Sequence, residues 1–359
     1  MEEPSLMHEL LSPPGNVDFA DCIAQLVLLN RSSSASTQAL PGRIGVPSGR
    51  NFMTKNKSTR RLKQKRIVAP LTRITAGWRR RQRGRDLLVQ LKQSDIAIVS
   101  YPKSGRTWLR MMMSHALELT FNIETDQILK FDNYHRLDHR VPKFLFTHDD
   151  YLEDIACEGR TSDFYRDIKT VLLVRDPIDI AVSYYFHWKY RWDVKKRIFH
   201  RFPIDDSLEL YDFMIHPDAG LPRVIAFLNR WAQGWPTIEQ SRLIRYEDLH
   251  QDPAAILRDL FGFVNVPVSE AHILAAVDFG AFTNVRKLEL SGTYAADGSK
   301  MKIIDKDNLD SFKARRGKVA GYRDYFSQSQ IAYLEDYYQT RLDPLFGYCE
   351  NRVSRLTGR

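Results

Sequence analysis

Cysteine is scarce in this chain of 359 residues, and its three cysteines, Cys22, Cys157 and Cys349, lie far apart without a CxxC pair. This spacing excludes a disulfide framework and a zinc cage, and it favours a reducing compartment. The longest apolar runs, such as residues 26–29 and 273–277, fall far short of the ~20 residues that span a bilayer. The first four residues include no basic stretch, so no cleaved secretory signal is expected. We therefore expect a cytoplasmic protein.

Acidic residues are almost missing from one segment. Residues 50–92 contain 15 Lys or Arg and a single acid, Asp86, which gives a local charge of +14; because the whole chain carries +9, the remainder carries −5. Apolar residues recur there at helical spacing up to Trp78, although Pro70 interrupts the pattern. The segment predicts either a peripheral contact with an anionic membrane surface or a solvated arm. Nucleic-acid binding would rest on this arm alone and is not expected.

Composition divides the chain into four parts. Residues 1–52 are rich in Ser, Pro and Gly around a short apolar stretch, which predicts a flexible extension, with Met53 as an alternative start. Residues 53–93 form the basic arm, 94–350 one domain, and 351–359 a tail. Removal of residues 1–85 is expected to leave the domain folded.

The domain alternates short β-rich runs with longer helical patterns. Strands are predicted at 96–101, 143–147, 170–174 and 242–246, and helices are predicted after the first, the third and the fourth of them. This order is typical of an α/β fold with a central parallel sheet and helices on both faces. Each predicted strand ends in polar residues. Because ligands of such sheets bind beyond the carboxyl ends of the strands, one site is expected to collect them.

A glycine-containing turn at residues 101–108 follows the first strand and precedes a helix. Backbone N–H groups at a helix N-terminus bind phosphate or sulfate. Lys103 adds a point charge, and Ser104 and Thr107 add hydroxyl donors. The turn is not a Walker A loop, because its lysine precedes the glycine. A polar turn without a ligand is the plainer alternative.

Two further motifs place cations in loops. Arg175 ends the third strand and Ser183 follows eight residues later, so that both could share one phosphate. The alternative is that Arg175 pairs with Asp176 or Asp179. Near the C-terminus, residues 315–317 read Arg-Arg-Gly, which suits bidentate phosphate binding but also describes an exposed basic loop.

Together the three motifs resemble the sulfotransferases that use 3′-phosphoadenosine 5′-phosphosulfate (PAPS). The family loop Tyr-Pro-Lys-Ser-Gly-Thr-Thr-Trp matches residues 101–108 except at Arg106, and the family places Ser eight positions after Arg, as here. The family motif Arg-Lys-Gly-x-x-Gly-Asp-Trp matches residues 315–317, but residues 320–322 depart from it. The resemblance covers about residues 95–346 and implies a P-loop-like, three-layer α/β fold.

The resemblance implies transfer of the sulfuryl group from PAPS to a hydroxyl or amine, without a metal. Lys103 would be catalytic, because it would neutralise the charge that builds on the leaving phosphate. Aromatic residues would flank the adenine, and cations and backbone N–H groups would hold the phosphates. The implied donor-binding residues are Lys103, Ser104, Gly105, Arg106, Thr107, Trp108, Arg175, Ser183, Tyr246, Phe282, Arg315, Arg316 and Gly317.

The family takes its general base from a Lys-Thr-His sequence after a strand, and Phe146, Thr147 and His148 occupy that position here. We expect His148 to be the catalytic base, since imidazole titrates near neutral pH. Phe146 replaces a second catalytic lysine, whose contribution is missing or supplied elsewhere. Asp149 or Asp150 could orient or compete with the imidazole.

His135 and His139 stand four residues apart without a third ligand at metal spacing, so we interpret them as surface or pocket-rim residues. Three segments are expected to line the acceptor pocket: residues 132–140, 188–202 and 292–308. They mix aromatic residues with both charges, which leaves a small molecule, a lipid and a glycan open. Two alternative functions also stay open: a nucleotide-binding protein without activity, and a related kinase that would need Mg²⁺.

Overall fold

In this computed structural model, the structure describes residues 55–156, 160–294 and 303–349. The predictions for residues 1–52, Met53 and 351–359 lie outside these ranges. The chain divides into two compact units, Met1–Thr59 and Arg60–Arg359. The described part of the first unit is the start of one helix, and all that follows concerns the second unit.

A parallel four-stranded sheet forms the centre of the second unit. Its strands are β1 (Ile96–Ser100), β2 (Phe144–Thr147), β3 (Lys169–Val174) and β4 (Ser241–Arg245), in the order β2-β1-β3-β4. All five residues of β1 are buried, as expected for a parallel sheet that is covered on both faces. The predicted strands are confirmed within one residue at each end.

Twelve helices are described, besides several short 3₁₀ turns. They are α1 (Lys55–Gln93), α2 (Arg106–Phe121), α3 (Asn133–Leu137), α4 (Pro177–Arg191), α5 (Val194–Phe199), α6 (Leu210–Ile215), α7 (Gly220–Gly234), α8 (Tyr246–Gln251), α9 (Pro253–Phe263), α10 (Glu270–Phe279), α11 (Phe282–Ser291) and α12 (Gln328–Gln339).

Helices cover both faces of the sheet, which confirms the predicted three-layer α/β fold. Ala97 and Val99 face a core that includes residues of α4, α7 and α12. Ile96 and Ile98 point to the opposite face and pack with residues of α2, α9 and α10. This alternation follows from the two-residue period of a strand. The three methionines at 111–113 are buried.

Helix α1 corrects two expectations. It continues across Pro70, and its second half packs on the domain, where Ala76 and Leu91 are buried. Arg80 is 3% exposed, and its Nε donates to Asp154 Oδ2 at 2.7 Å. Removal of residues 1–85 would therefore remove buried contacts of the domain. None of the described helices combines the length and the apolar character that a membrane span requires.

Candidate active site

One cavity of about 1000 Å³ opens at the carboxyl ends of all four strands. Lys103 follows β1, His148 follows β2, Arg175 follows β3 and Tyr246 follows β4, and all four line the cavity. The parallel order of the sheet explains this convergence, since every strand ends at the same edge. The lining also includes the other residues assigned to donor binding by sequence, except Ser104.

The turn between β1 and α2 has two residues in the left-handed backbone region, Lys103 (φ 78°) and Gly105 (φ 95°). Gly105 precedes the first residue of α2, so the N-terminus of this helix points its backbone N–H groups at the cavity. Ser104 differs from expectation. Its side chain is fully buried, and its Oγ has no hydrogen-bond partner among the described residues. It therefore supplies no hydroxyl to the cavity.

The cavity is strongly positive, although the chain outside residues 50–92 carries −5. Among the described residues, its lining holds ten Lys or Arg and three acids, a net charge of +7. Burial, with Arg191, Arg315 and Arg175, lowers the pKa of Lys103 to about 7. Cations concentrated in this way lower their mutual electrostatic energy by binding an anion. The cations are Lys103, Arg106, Arg110, Arg175, Arg191, Lys196, Lys313, Arg315, Arg316 and Lys318.

Arg175 connects three parts of the site. Its Nη1 donates to the Lys103 carbonyl at 3.3 Å, and its Nη2 donates to the Lys318 carbonyl at 3.0 Å and to Asp179 Oδ2 at 3.3 Å. Its guanidinium lies 4.2 Å from the centre of the Tyr246 ring. The pairing with Asp179 is therefore present, and it coexists with a position in the cavity lining.

Asp176 does not pair with Arg175. Its carboxylate accepts hydrogen bonds from the backbone N–H groups of Ile178 and Asp179, and so caps α4. Burial raises the pKa of Asp176 to about 7, with the charges of Asp179 and Glu247 adding to the effect. This cap sets the start of α4, which places Ser183 two turns later in the cavity lining.

The loop of residues 312–318 closes the cavity from the C-terminal side. Arg315 Nη1 donates to Asp310 Oδ1 at 3.4 Å, and Arg316 Nη2 donates to Asp324 Oδ2 at 2.5 Å. Buried Glu289 accepts hydrogen bonds from the backbone of residues 313 and 314, at 2.6 and 2.9 Å, and so holds the loop in place. The two arginines therefore reach the cavity while each keeps a carboxylate neighbour.

Aromatic residues line the part of the cavity next to this loop. Trp108 Nε1 donates to the Gly280 carbonyl at 2.7 Å, and its ring meets that of Tyr246 edge to face, with centroids 5.8 Å apart. Phe282 begins α11 and is 45% exposed. A Cβ atom at Gly317 would lie 2.8 Å from the Phe282 ring, so that this glycine lets the loop approach the aromatic ring.

His148 is held through both ring nitrogens. Nδ1 lies 2.8 Å from the Ser100 carbonyl, and because a carbonyl only accepts, Nδ1 carries the proton and Nε2 the lone pair. Arg106 Nη2 donates to Nε2 at 2.7 Å. Neither neighbouring acid orients the imidazole through Nδ1, since the carbonyl of β1 occupies that position.

The two acids after His148 have different environments. Asp149 is fully buried and accepts hydrogen bonds from Thr161 and Tyr165, and burial raises its pKa to about 7. Asp150 lines the cavity. Burial raises the pKa of Asp150 to about 6, while Arg223 and Arg80 oppose that shift. Of these two acids, only Asp150 therefore lines the cavity.

Other parts of the cavity lining are also aromatic. Trp192 stacks on His200 with centroids 4.6 Å apart, and Arg110 lies 5.4 Å from the centre of the Phe146 ring. The predicted segment 188–202 contributes Arg191, Trp192, Lys196 and His200 to the lining, and the predicted segment 292–308 contributes Ile304. Residues 295–302 lie outside the described ranges.

The prediction that residues 132–140 line the acceptor pocket is wrong. All of these residues are described, and none of them lines the cavity. His135 and His139 meet edge to face outside it, with centroids 5.0 Å apart. No group of three metal-ligating side chains is found among the described residues.

Sequence reasoning missed His187 in the cavity lining and included Arg191 only as part of the segment 188–202. Both lie on α4, four and eight residues after Ser183, and therefore on the same helix face. That spacing is the signal that could have found them. Burial, with the charges of Lys103 and Arg191, lowers the pKa of His187 well below its ordinary value.

The chain is similar in sequence to several sulfotransferases. Cytosolic sulfotransferase 14 of Arabidopsis thaliana is 25% identical over 266 residues, which cover 67% of this chain and 72% of that protein. Sulfotransferase 1 family member D1 of Rattus norvegicus is 22% identical, covering 71% and 85% respectively. A crystal structure of a mouse sulfotransferase complexed with PAP aligns with 76% of this chain and 93% of its own, at 17% identity and a TM-score of 0.44.

The family model of the sulfotransferase domain matches residues 93–346. This match covers more than half of the chain, including all the described strands and every residue of the cavity lining except Leu87. The chain belongs to the sulfotransferase family.

Proposed function

We propose that this protein transfers the sulfuryl group of PAPS to a hydroxyl or amine of a small-molecule, lipid or glycan acceptor. The observation that carries the proposal is the position of His148 and Lys103 in one cavity of net charge +7. An imidazole lone pair and a half-buried ammonium there supply the base and the cation that sulfuryl transfer needs.

The lining fits the donor at both of its anionic ends. The N-terminus of α2 and Lys103 would hold the 5′-phosphosulfate. Arg175, Ser183 and the 315–317 loop would hold the 3′-phosphate through guanidinium and backbone N–H groups. Trp108, Tyr246 and Phe282 would contact the adenine. PAPS would supply the activated sulfuryl group, and none of these roles requires a metal.

His148 would take the acceptor proton on Nε2 as the acceptor oxygen or nitrogen bonds to sulfur. Lys103 would neutralise the phosphate oxygen as its bond to sulfur breaks, and 3′-phosphoadenosine 5′-phosphate (PAP) would leave. The Ser100 carbonyl keeps the proton on Nδ1, so the imidazole presents its basic nitrogen to the cavity.

Calorimetric titration tests the donor class. PAP, adenosine 5′-phosphate and ATP would be titrated into wild type and Arg175→Ala. Tight binding that requires the 3′-phosphate and weakens in the variant is the expected result. A preference for ATP would favour the kinase alternative.

Transfer of labelled sulfate from PAPS to a panel of alcohols, phenols, amines and glycans tests the activity. His148→Ala is expected to abolish transfer and to keep PAP binding, because the imidazole contacts the acceptor and not the nucleotide. An active His148→Ala enzyme would contradict the assignment of His148 as the general base. Binding of PAP without transfer to any acceptor would favour the inactive nucleotide-binding protein.

We also propose that α1 contacts anionic lipid surfaces. Trp78 is 64% exposed, and exposed arginines surround it in the sequence at 73, 79, 81 and 85. An exposed indole among cations suits the headgroup region of an anionic bilayer. Arg81→Glu with Arg85→Glu should abolish co-sedimentation with phosphatidylserine vesicles, whereas Arg136→Glu, another exposed site, should not. Equal binding to phosphatidylcholine vesicles, or binding to duplex DNA instead, would overturn this proposal.

A further inference from the structure

Arg106 forms a hydrogen bond to Nε2 of His148, the nitrogen that would take the acceptor proton. Its Nη2 donates to His148 Nε2 at 2.7 Å, while the Ser100 carbonyl holds Nδ1 at 2.8 Å. The imidazole is therefore fixed at both nitrogens, and its lone pair points at a guanidinium. A base in this arrangement accepts a proton from an acceptor only after Arg106 moves.

The guanidinium of Arg106 has weak partners where it lies. Nη1 is buried without a hydrogen-bond partner among the described residues, and within the same ranges no carboxylate accepts a hydrogen bond from Arg106. Burial, with the charge of Arg110, lowers the pKa of Arg106 to about 9. The imidazole uses one of the donors of this guanidinium, and the charge of Asp150 acts on it without a hydrogen bond. The other donors are available to an anion, which a planar guanidinium can bind in a bidentate manner.

The surroundings point to one kind of anion. Arg106 is the first residue of α2, so its side chain starts at the helix end that faces the proposed 5′-phosphosulfate position. It reaches His148, where the acceptor must lie. The side chain therefore spans the distance between donor and base, which is the place of the transferring sulfuryl group. Phe146, two residues before His148, offers no charge there.

We propose that Arg106 is a catalytic residue that alternates between two partners, the Nε2 atom of His148 and the sulfuryl oxygens of the donor. When the donor binds, the guanidinium turns to the sulfuryl oxygens, where it stabilises negative charge, and Nε2 becomes available to the acceptor proton. The base is thus exposed only when the donor is present. This inference rests on the proposed function.

Binding of PAPS and PAP to Arg106→Thr tests the contact directly, because the two nucleotides differ only in the sulfuryl group. PAPS affinity is expected to fall about tenfold or more, while PAP affinity changes less than about twofold, because the retained backbone N–H groups hold the 5′-phosphate. Arg315→Ala is the matched control: it should weaken both nucleotides equally. Arg106→Lys should restore part of the preference for PAPS.

The pH dependence of kcat/KM gives a second readout that a purely structural residue would not move. Loss of the neighbouring cation should raise the pKa of the imidazole, and the acidic limb of the profile should shift to higher pH. The inference would be overturned if Arg106→Thr lost PAP and PAPS affinity equally. It would also be overturned if both the ratio of PAPS to PAP affinity and the pH profile of kcat/KM stayed as in wild type. If wild type binds neither nucleotide, the proposed function fails and this inference fails with it; if wild type binds both, the variant alone decides.

Discussion

The ring of Tyr246 lies directly against the α-carbon of Gly105. A Cβ atom at position 105 would come within 2.6 Å of Tyr246 Cδ2 and 2.9 Å of Cε2. This contact packs the first residue after β4 onto the turn after β1. The turn that we propose to bind phosphate is therefore held by a neighbouring strand as well as by its own backbone.

Gly105→Ala should lower both the free energy of unfolding and PAP affinity. The left-handed φ of 95° alone costs about 1–2 kcal/mol for a residue with a Cβ, and the clash with Tyr246 moves the turn. Urea unfolding and calorimetry measure the two effects. Gly262→Ala is the control: nothing lies within 4 Å of its Cβ position, and it lies inside α9, so stability should stay level or rise by up to about 1 kcal/mol. Wild-type PAP affinity in Gly105→Ala would contradict the role of this turn.

Lys103 should make nucleotide binding depend on pH. Its pKa of about 7 lies below the ordinary 10.5, and an ammonium binds the donor better than a neutral amine. PAP affinity should therefore fall about tenfold per pH unit as pH rises above 7. Calorimetry at pH 6 to 9 measures this slope, and proton uptake on binding should accompany it.

The same shift has a consequence for stability. Between pH 7 and 10.5 the unfolded chain holds the Lys103 proton that the folded chain has released, so the contribution of this group to stability rises with pH in that window and is level below it. Lys103→Met should remove both the stability slope and the binding slope. A variant that keeps the slope in PAP affinity would show that another group titrates.

Arg80→Met should lower the free energy of unfolding by up to about 3 kcal/mol, because the carboxylate of Asp154 loses its buried partner and keeps only the exposed Arg201. Arg80 also donates to the Asp150 carbonyl at 2.5 Å, so the cavity end that includes Asp150 should loosen. Guanidinium unfolding measures the loss. Arg136→Met, which breaks an exposed pair with Asp132, should change stability by less than about 1 kcal/mol. Equal effects of the two variants would show that α1 is not anchored through Arg80.

Trp108→Phe should destabilise the domain by about 1 kcal/mol, since it leaves the Gly280 carbonyl without the Nε1 donor while it keeps an aromatic ring. The exposed Trp78→Phe is the control and should leave thermal unfolding unchanged. An unchanged transition in Trp108→Phe would mean that another donor replaces the indole.

Local sequence patterns were enough to predict the strands and the positions of the principal site residues. Short apolar runs identified β1 to β4, and parallel strands end at one edge, so Lys103, His148, Arg175 and Tyr246 could be expected together before any coordinates. Local sequence patterns gave wrong predictions where tertiary contacts decide whether a side chain lines the cavity. Ser104 belongs to the motif but points into the protein, and residues 132–140 have suitable chemistry but lie elsewhere.

The sequence by itself determined the family, the α/β class and the types of residue that surround the site, because motif order and apolar periodicity are local properties of the chain. Only the tertiary structure brought Arg106 to His148, 42 residues away, and anchored α1 through Arg80. Pairing of β1 with β2 brings Arg106 close to His148. Burial of Arg80 against residues 150–154 holds α1 on the domain. Both depend on how distant segments pack, and no local pattern encodes that.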